Sequence, residues 1–84
     1  MYAVTGYWVI EPSQDDEELE HIKAVVREHP GFLRGYWGRD AESTTLAQAV
    51  VLLDSEHNAR IFAAGVRAAI PSARLHVARI LAEA

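Results

Sequence analysis

The sequence predicts a small α+β domain whose elements follow the order β-α-β-β-α-β. Four segments rich in β-branched and aromatic residues alternate with two segments whose apolar residues recur at helical spacing. Proline, glycine or short polar runs separate the segments. The 84 residues, of which 50% are hydrophobic and 24% charged, predict one globular domain over residues 1–84.

The first two elements are a strand and a helix. Residues 2–10 predict a strand, because aromatic and β-branched types dominate, and the polar, proline-containing run 11–14 ends it. A helix is predicted over 15–28, and Pro30-Gly31 stops it and reverses the chain. The predicted apolar stripe of this helix consists of Leu19, Ile22, Val25, Val26 and His29.

A hairpin and a second helix follow. Residues 32–39 and 44–53 predict two strands, joined by a polar turn at 40–43. Ser55 is a suitable N-cap for a helix over 56–69. The predicted apolar stripe of this helix consists of Ala59, Phe62, Val66, Ala69 and Ile70.

Residues 73–81 predict the last strand, with Leu75, Val77 and Leu81 on one face and His76 on the other. The complete order is the ferredoxin-like arrangement. It implies a four-stranded antiparallel sheet with two helices on one face.

Both faces of this sheet are apolar. In the third strand, Leu46, Val50 and Leu52 lie on one face, and Ala47, Ala49, Val51 and Leu53 on the other. Two helices cover only one face, whereas an antiparallel sheet with one wet face alternates apolar and polar residues. A domain of this size also has a limited core. We therefore expect a homodimer that forms through the open sheet face.

Composition excludes several classes of protein. Cysteine is absent, which excludes disulfides and thiolate metal sites. No apolar run approaches the roughly 20 residues of a membrane span, and no signal peptide is evident, so we expect a cytoplasmic protein without membrane contact. The net charge of −4 argues against nucleic acid as a partner. The run Arg34-Gly35-Tyr36-Trp37-Gly38 is reminiscent of an RNA-recognition motif, but it lies on the second strand instead of the third.

Six residues are candidates for lining a ligand pocket. The pairs Tyr7-Trp8 and Tyr36-Trp37 each send one ring to either face of the sheet, so that one tryptophan and one tyrosine are predicted on the helix side. Arg34 is predicted to share a face with Phe32 and Tyr36. The candidates are Trp8, Arg34, Tyr36, Trp37, His57 and His76.

Two of the histidines are candidates for acid or base chemistry. His57 lies in the first turn of the second helix and His76 in the last strand, where either side chain can serve as an acid or base near neutral pH. His21 and His29 are two helical turns apart, about 12 Å, too far to share one metal ion. We predict no metal site and no cofactor, and we assign no catalytic residue.

Several segments together resemble one known family. These are Pro30-Gly31-Phe32, the aromatic strand 32–39, Leu53-Asp54-Ser55-Glu56 and the helix start His57-Asn58-Ala59-Arg60-Ile61-Phe62. Over nearly the whole chain, the sequence resembles the dimeric α/β-barrel superfamily, and most closely its antibiotic-biosynthesis-monooxygenase-like branch. The resemblance implies two sheets that close into a barrel across a dimer, and a ligand cavity between helices and sheet. Its members include cofactor-independent oxygenases acting on aromatic polyketides or quinols, and haem-degrading enzymes.

The resemblance implies the fold, but we transfer no catalytic residues from the family to this chain. Oxygenase and haem-degrading members often have Trp-Glu-Ser at the end of the third strand, where this chain has Leu53-Asp54-Ser55. Haem degraders carry Asn in the first strand, at the position of Gly6, and a histidine well along the second helix, where this chain has only His57 in the first turn.

Two classes of function follow as expectations. One is a small-molecule-binding protein. It either acts as a cofactor-independent monooxygenase-like enzyme on an aromatic or quinone-like substrate, or only binds such a molecule. The other is a non-catalytic structural or regulatory dimer of the same fold.

Overall fold

A computed structural model describes the backbone of residues 1–10 and 16–84 and the side chains of residues 1–10 and 19–84. The predicted order of elements is confirmed, while the predicted break at 11–14 and the predicted helix start at Asp15 lie outside the described residues. The elements are β1 (Tyr2–Val9), α1 (Asp16–Arg27), β2 (Phe32–Arg39), β3 (Leu46–Leu53), α2 (Glu56–Ala69) and β4 (Arg74–Arg79).

The β2–β3 hairpin has a longer turn than predicted. β3 begins at Leu46 instead of residue 44, because the N–H of Leu46 donates to the carbonyl of Ser43 at 3.3 Å and closes a turn there. The Asp40 N–H donates to the carbonyl of Leu46 at 2.9 Å, and the Asp40 carboxylate accepts from the Glu42 N–H at 2.8 Å. This aspartate-stabilised turn carries the chain over 40–45.

Three other elements are shorter than predicted. α1 ends at Arg27, because the N–H of Glu28 donates to the carbonyl of Val25, three residues back. β1 ends at Val9 instead of residue 10. β4 covers Arg74–Arg79 instead of 73–81, because the Ala73 N–H closes a turn onto the carbonyl of Ile70. Leu81 lies beyond β4 and is 86% exposed, so the expectation that it shares the face of Leu75 is wrong.

The sheet is antiparallel, in the order β2-β3-β1-β4, and both helices pack on one of its faces. The central strands β1 and β3 pair over their full length, from Tyr2 opposite Leu53 to Val9 opposite Leu46. Residues that are paired across strands lie on the same face. This register therefore directs the even residues of β1 and the odd residues of β3 towards the helices. The division of β3 into two faces agrees with the prediction.

The core lies where α2 crosses the central strands. Leu53, Ala59 and Ala63 are completely buried, and Val4, Val51 and Phe62 complete the cluster. Ser55 is the N-cap of α2, as predicted, and its Oγ accepts from the Asn58 N–H at 3.1 Å. The small side chains of Ala59 and Ala63 let the helix approach the sheet closely.

α1 packs with a narrower stripe than the sequence predicts. Ile22 and Val26 are half-buried and face the sheet, but Val25 is 60% exposed. The helical period explains the difference, because a neighbour of Val26 is rotated by about 100° around the axis. On α2, Ala69 is likewise exposed, whereas Ala63 is buried.

A β-bulge at the start of β2 sets which residues face the helices. Phe32 pairs with Leu53 and Arg34 with Leu52, so Leu33 is the extra residue on β2. The bulge places Phe32 on the helix side and Arg34 on the open side. The prediction that Arg34 and Phe32 share a face is therefore wrong, since it assumed an uninterrupted strand.

The chain reversal after α1 packs tightly against the start of α2. Gly31 has a φ of +81°, the left-handed region in which side chains are disfavoured. Its carbonyl accepts from the Asp54 N–H at 2.9 Å, and the Asp54 carboxylate accepts from Nδ2 of Asn58 at 2.8 Å. Pro30-Gly31-Phe32 and the Asp54–Asn58 segment, which carry the resemblance, are thus parts of one structural junction.

No helix among the described residues is long and apolar enough to cross a bilayer.

Candidate functional site

A cavity of about 80 Å³ lies between the sheet and the two helices and opens to solvent on one side. All four strands and both helices contribute to its wall. The residues that line it are Val4, Gly6, Trp8, Ile22, Val26, Trp37, Ala49, Val51, Phe62, Val66, Ile70 and Leu75.

The floor of the cavity is one row of residues that crosses the sheet. Trp37 pairs with Ala49, Ala49 with Gly6, and Gly6 with Leu75. Residues in such a row share one face, so two small residues on the central strands lie between two large ones on the edge strands. The cavity exists because Gly6 and Ala49 send no large side chain of their own into the space beneath the helices.

Each large residue of this row lies against a glycine. The indole of Trp37 folds back along β2 over Gly35, where an added Cβ atom would be 2.5 Å from its Cη2. An added Cβ atom at Gly6 would collide with the carbonyl oxygen of Arg74 and with Cδ2 of Leu75, whose side chain leans over this glycine. Gly35 therefore makes room for a ring, and Gly6 makes room for the backbone of Arg74 and the tip of Leu75.

The helices form the roof. α1 contributes Ile22 and Val26, α2 contributes Phe62 and Val66, and Ile70 follows as the C-cap residue of α2. His29 packs against Phe62 of this roof. The two rings meet edge to face, with their centroids 5.3 Å apart.

The wall is apolar and carries no titratable side chain among the described residues. Among the described lining residues, Trp8 and Trp37 contribute the only side-chain polar groups, and an indole N–H is a hydrogen-bond donor only. Such a wall suits a flat, uncharged molecule that carries an acceptor oxygen.

The structure brings together two of the six predicted site residues. Trp8 and Trp37 both line the cavity. The expectation of one tryptophan and one tyrosine on the helix side is wrong, because the register places Trp8 opposite Ala47 and Trp37 opposite Ala49 on the same face. Tyr7 and Tyr36 consequently lie on the open face.

The other four candidates lie away from the cavity. Tyr36 and His76 are the two ends of a row on the open face, in which Tyr36 pairs with Val50, Val50 with Thr5, and Thr5 with His76. Arg34 is exposed on the same face, next to this row. His57 is exposed in the first turn of α2.

The open face presents large apolar side chains to solvent. Its exposed fractions are 46% for Tyr7, 61% for Val9, 55% for Tyr36 and 38% for Val50. No described helix packs on this side of the sheet.

Charged groups with shifted pKa values lie outside the cavity wall. Hydrogen bonding with the side chain of Tyr36 raises the pKa of Arg34. On α1, a hydrogen bond from Lys23 lowers the pKa of Glu20. The described residues contain no group of three or more histidine, aspartate or glutamate side chains that could hold a metal ion.

Of the four residues of the cavity floor, sequence reasoning found Trp37 and missed the other three. Gly6, Ala49 and Leu75 were not candidates, because their proximity depends on strand register and not on spacing along the chain. One signal was available: Gly6 interrupts a strand that is otherwise rich in bulky side chains, which marks a close approach within the sheet.

Solved structures with the same architecture cover nearly the whole chain. A proposed antibiotic biosynthesis monooxygenase from Bordetella bronchiseptica superimposes with a TM-score of 0.69 at 13% identity, over 96% of this chain and 97% of that one. A variant of SnoaB, a cofactor-independent oxygenase from Streptomyces nogalater, gives 0.68 at 14% identity, over 98% and 93%. The haem degrader MhuD from Mycobacterium tuberculosis, with two haems bound in its active site, gives 0.61 at 20% identity, over 98% of each chain.

No protein-family model and no curated protein sequence matches the chain. At these identities the likeness concerns the fold, which agrees with the element order and the sheet described above. The chain thus shares the ferredoxin-like fold of the antibiotic biosynthesis monooxygenase-like proteins.

Proposed function

We propose that this protein binds a small, uncharged aromatic or quinone-like molecule in the cavity between its sheet and its helices, and that it acts as a homodimer. The observation that carries the ligand proposal is the cavity wall, in which Trp8 and Trp37 are the only described side chains with a polar group. A charged ligand would lose its hydration there without gaining a partner of opposite charge. A flat neutral ring loses little and gains apolar contact.

The dimer proposal rests on the open face. Tyr7, Val9, Tyr36 and Val50 form an apolar surface on a domain whose own core is small. A second copy is the occupant that this surface fits best, because two such faces related by a two-fold axis present the same aromatic and aliphatic side chains to each other. The resemblance to dimeric α/β barrels supports the same choice.

Binding to the cavity is testable with ortho-cresol, a neutral single ring with one hydroxyl oxygen. We expect it to shift the NMR signals of the indole N–H groups of Trp8 and Trp37. Ala49→Leu, which fills the floor, is expected to weaken binding at least about tenfold, since single apolar groups change pocket affinity by that order. Ala49→Val is a smaller version of the same change, should the leucine disturb folding.

Leu81→Ala is the matched control, because Leu81 is exposed and far from the lining. It should leave the affinity for ortho-cresol unchanged. Equal binding by the wild type and a folded Ala49→Leu variant would contradict the cavity as the binding site.

A second candidate is monooxygenase-like turnover of the bound molecule, which the structural likeness to the cofactor-independent oxygenase SnoaB favours. Atoms and electrons balance for a phenol with a free para carbon: phenol and O2 give the para-quinone and water. One oxygen atom of O2 enters the ring, the para hydrogen and the hydroxyl hydrogen leave as water with the other, and the phenol is the reductant. The described lining has no titratable side chain that could act as a base. The hydroxyl proton must therefore be lost by the phenol's own dissociation.

For this candidate, we expect ortho-cresol to consume one O2 for each molecule of 2-methyl-1,4-benzoquinone that forms. An oxygen electrode and the absorbance of the quinone measure both quantities. A rate at saturating ortho-cresol that equals the protein-free rate would overturn the catalytic candidate and leave a binding protein.

A further inference from the structure

We infer that the side chain of Leu75 is the size filter of this cavity, and that it restricts the ligand to a single ring. The inference rests on the proposed ligand-binding function and adds to it the class of molecule that is admitted. It concerns the row Trp37–Ala49–Gly6–Leu75, which forms the cavity floor.

The two ends of this row behave differently. Trp37 lies back over Gly35, which belongs to the next row of the sheet, where Gly35 pairs with Val51. The indole therefore leaves the space above Ala49 open and provides a flat wall beside it. A ring that lies on Ala49 can stack or meet this indole edge to face.

Leu75 leans in the opposite direction, into the cavity. Its Cδ2 lies over Gly6, where an added Cβ atom would collide with it and with the carbonyl oxygen of Arg74. Gly6 still lines the cavity, but Leu75 narrows the space above it. The floor admits one ring and ends at the isobutyl group of Leu75.

The volume is consistent with this limit. The cavity holds about 80 Å³, whereas an apolar cavity that encloses benzene completely measures about 150 Å³. A single ring therefore fills the cavity and reaches its open side. A fused second ring needs the space that the side chain of Leu75 occupies beside Gly6, which becomes available only if this side chain is shortened or displaced.

The test compares two phenols that differ by one fused ring, ortho-cresol and 1-naphthol. Binding is followed through the indole N–H signals of Trp8 and Trp37, so both affinities are measured at the cavity. We expect the wild type to prefer ortho-cresol. Leu75→Ala should raise the affinity for 1-naphthol relative to ortho-cresol at least about tenfold, as expected for a change of one aliphatic group in an apolar pocket.

Two further variants keep the test decisive. Leu75→Val shortens the side chain with less loss of packing and should shift the preference in the same direction by a smaller factor. Val77→Ala, a neighbour on the same face of β4 that does not line the cavity, should leave the ratio of the two affinities unchanged.

The outcomes separate the two proposals. If ortho-cresol binds at the cavity and Leu75→Ala leaves the 1-naphthol to ortho-cresol ratio at its wild-type value, the size filter is wrong and the binding site stands. If neither phenol shifts the indole signals in the wild type, in Leu75→Ala or in Leu75→Val, the cavity is not a binding site and both proposals fall.

Discussion

Replacing Val50 with glutamate is expected to convert the dimer into folded monomers. Val50 lies on β3, in the interior of the sheet, and is 38% exposed on the face that no described helix covers. In the proposed dimer the substitution places one carboxylate from each subunit in an apolar interface, and Arg34, the cation next to the row of Val50, is itself exposed. The loss of hydration costs several kcal/mol for each ion, which corresponds to a rise in the dissociation constant of at least about a hundredfold.

Sedimentation velocity at micromolar concentration measures this directly, and circular dichroism confirms that the variant is folded. Val25→Glu is the matched control, because Val25 is 60% exposed on α1 and belongs to the helical layer. It should sediment like the wild type. A wild type that is monomeric, or a Val50→Glu variant that remains as dimeric as the wild type, would contradict an interface on the open face.

The second large effect is expected at the junction between α1 and β2, where Gly31→Ala should strongly destabilise the fold. Its φ of +81° costs a residue with a side chain about 1–3 kcal/mol. The added Cβ would also collide with Oδ1 of Asp54 and lie 2.5 Å from Nδ2 of Asn58. Displacing either group weakens the hydrogen bond that joins them at the start of α2. We expect a loss of about 2–3 kcal/mol in the free energy of unfolding.

Gly65→Ala provides the contrasting glycine. Gly65 lies within α2, has no positive φ, and nothing is within 4 Å of an added Cβ. Alanine there should stabilise the fold by about 1 kcal/mol, because glycine is a poor helix former. Urea unfolding at equal protein concentration compares the two variants, since unfolding of a dimer depends on concentration. Equal stability changes for the two variants would refute the structural role assigned to Gly31.

Local patterns in the sequence predicted the order of elements because each pattern has a local cause. The helical recurrence of Ile22 and Val26, the cap at Ser55 and the break at Pro30-Gly31 each act within a few residues. The same holds for the two apolar faces of β3. These features survive in the structure with shifts of one or two residues at the ends.

The site was less accessible to the same reasoning, because it depends on which residues meet across strands. The bulge at Leu33 moved Arg34 to the face opposite Phe32, and no local pattern marks that extra residue. The floor formed by Gly6 and Ala49 requires the pairing of β1 with β3, which are far apart in the chain. Trp8 and Trp37 were found as candidates, but that they share one face followed only from the register.

The strand order also bears on how the chain folds as it is synthesised. β2 and β3 are neighbours in the chain and in the sheet, so this hairpin needs only a short loop to close. β1 is synthesised before them, yet it is an inner strand of the sheet. It pairs with β3 on one side and with β4, the last strand in chain order, on the other. Contacts between such distant segments form slowly, because a long loop must close first. Leu75 lies on β4, so the cavity can acquire this wall only after β4 has been synthesised.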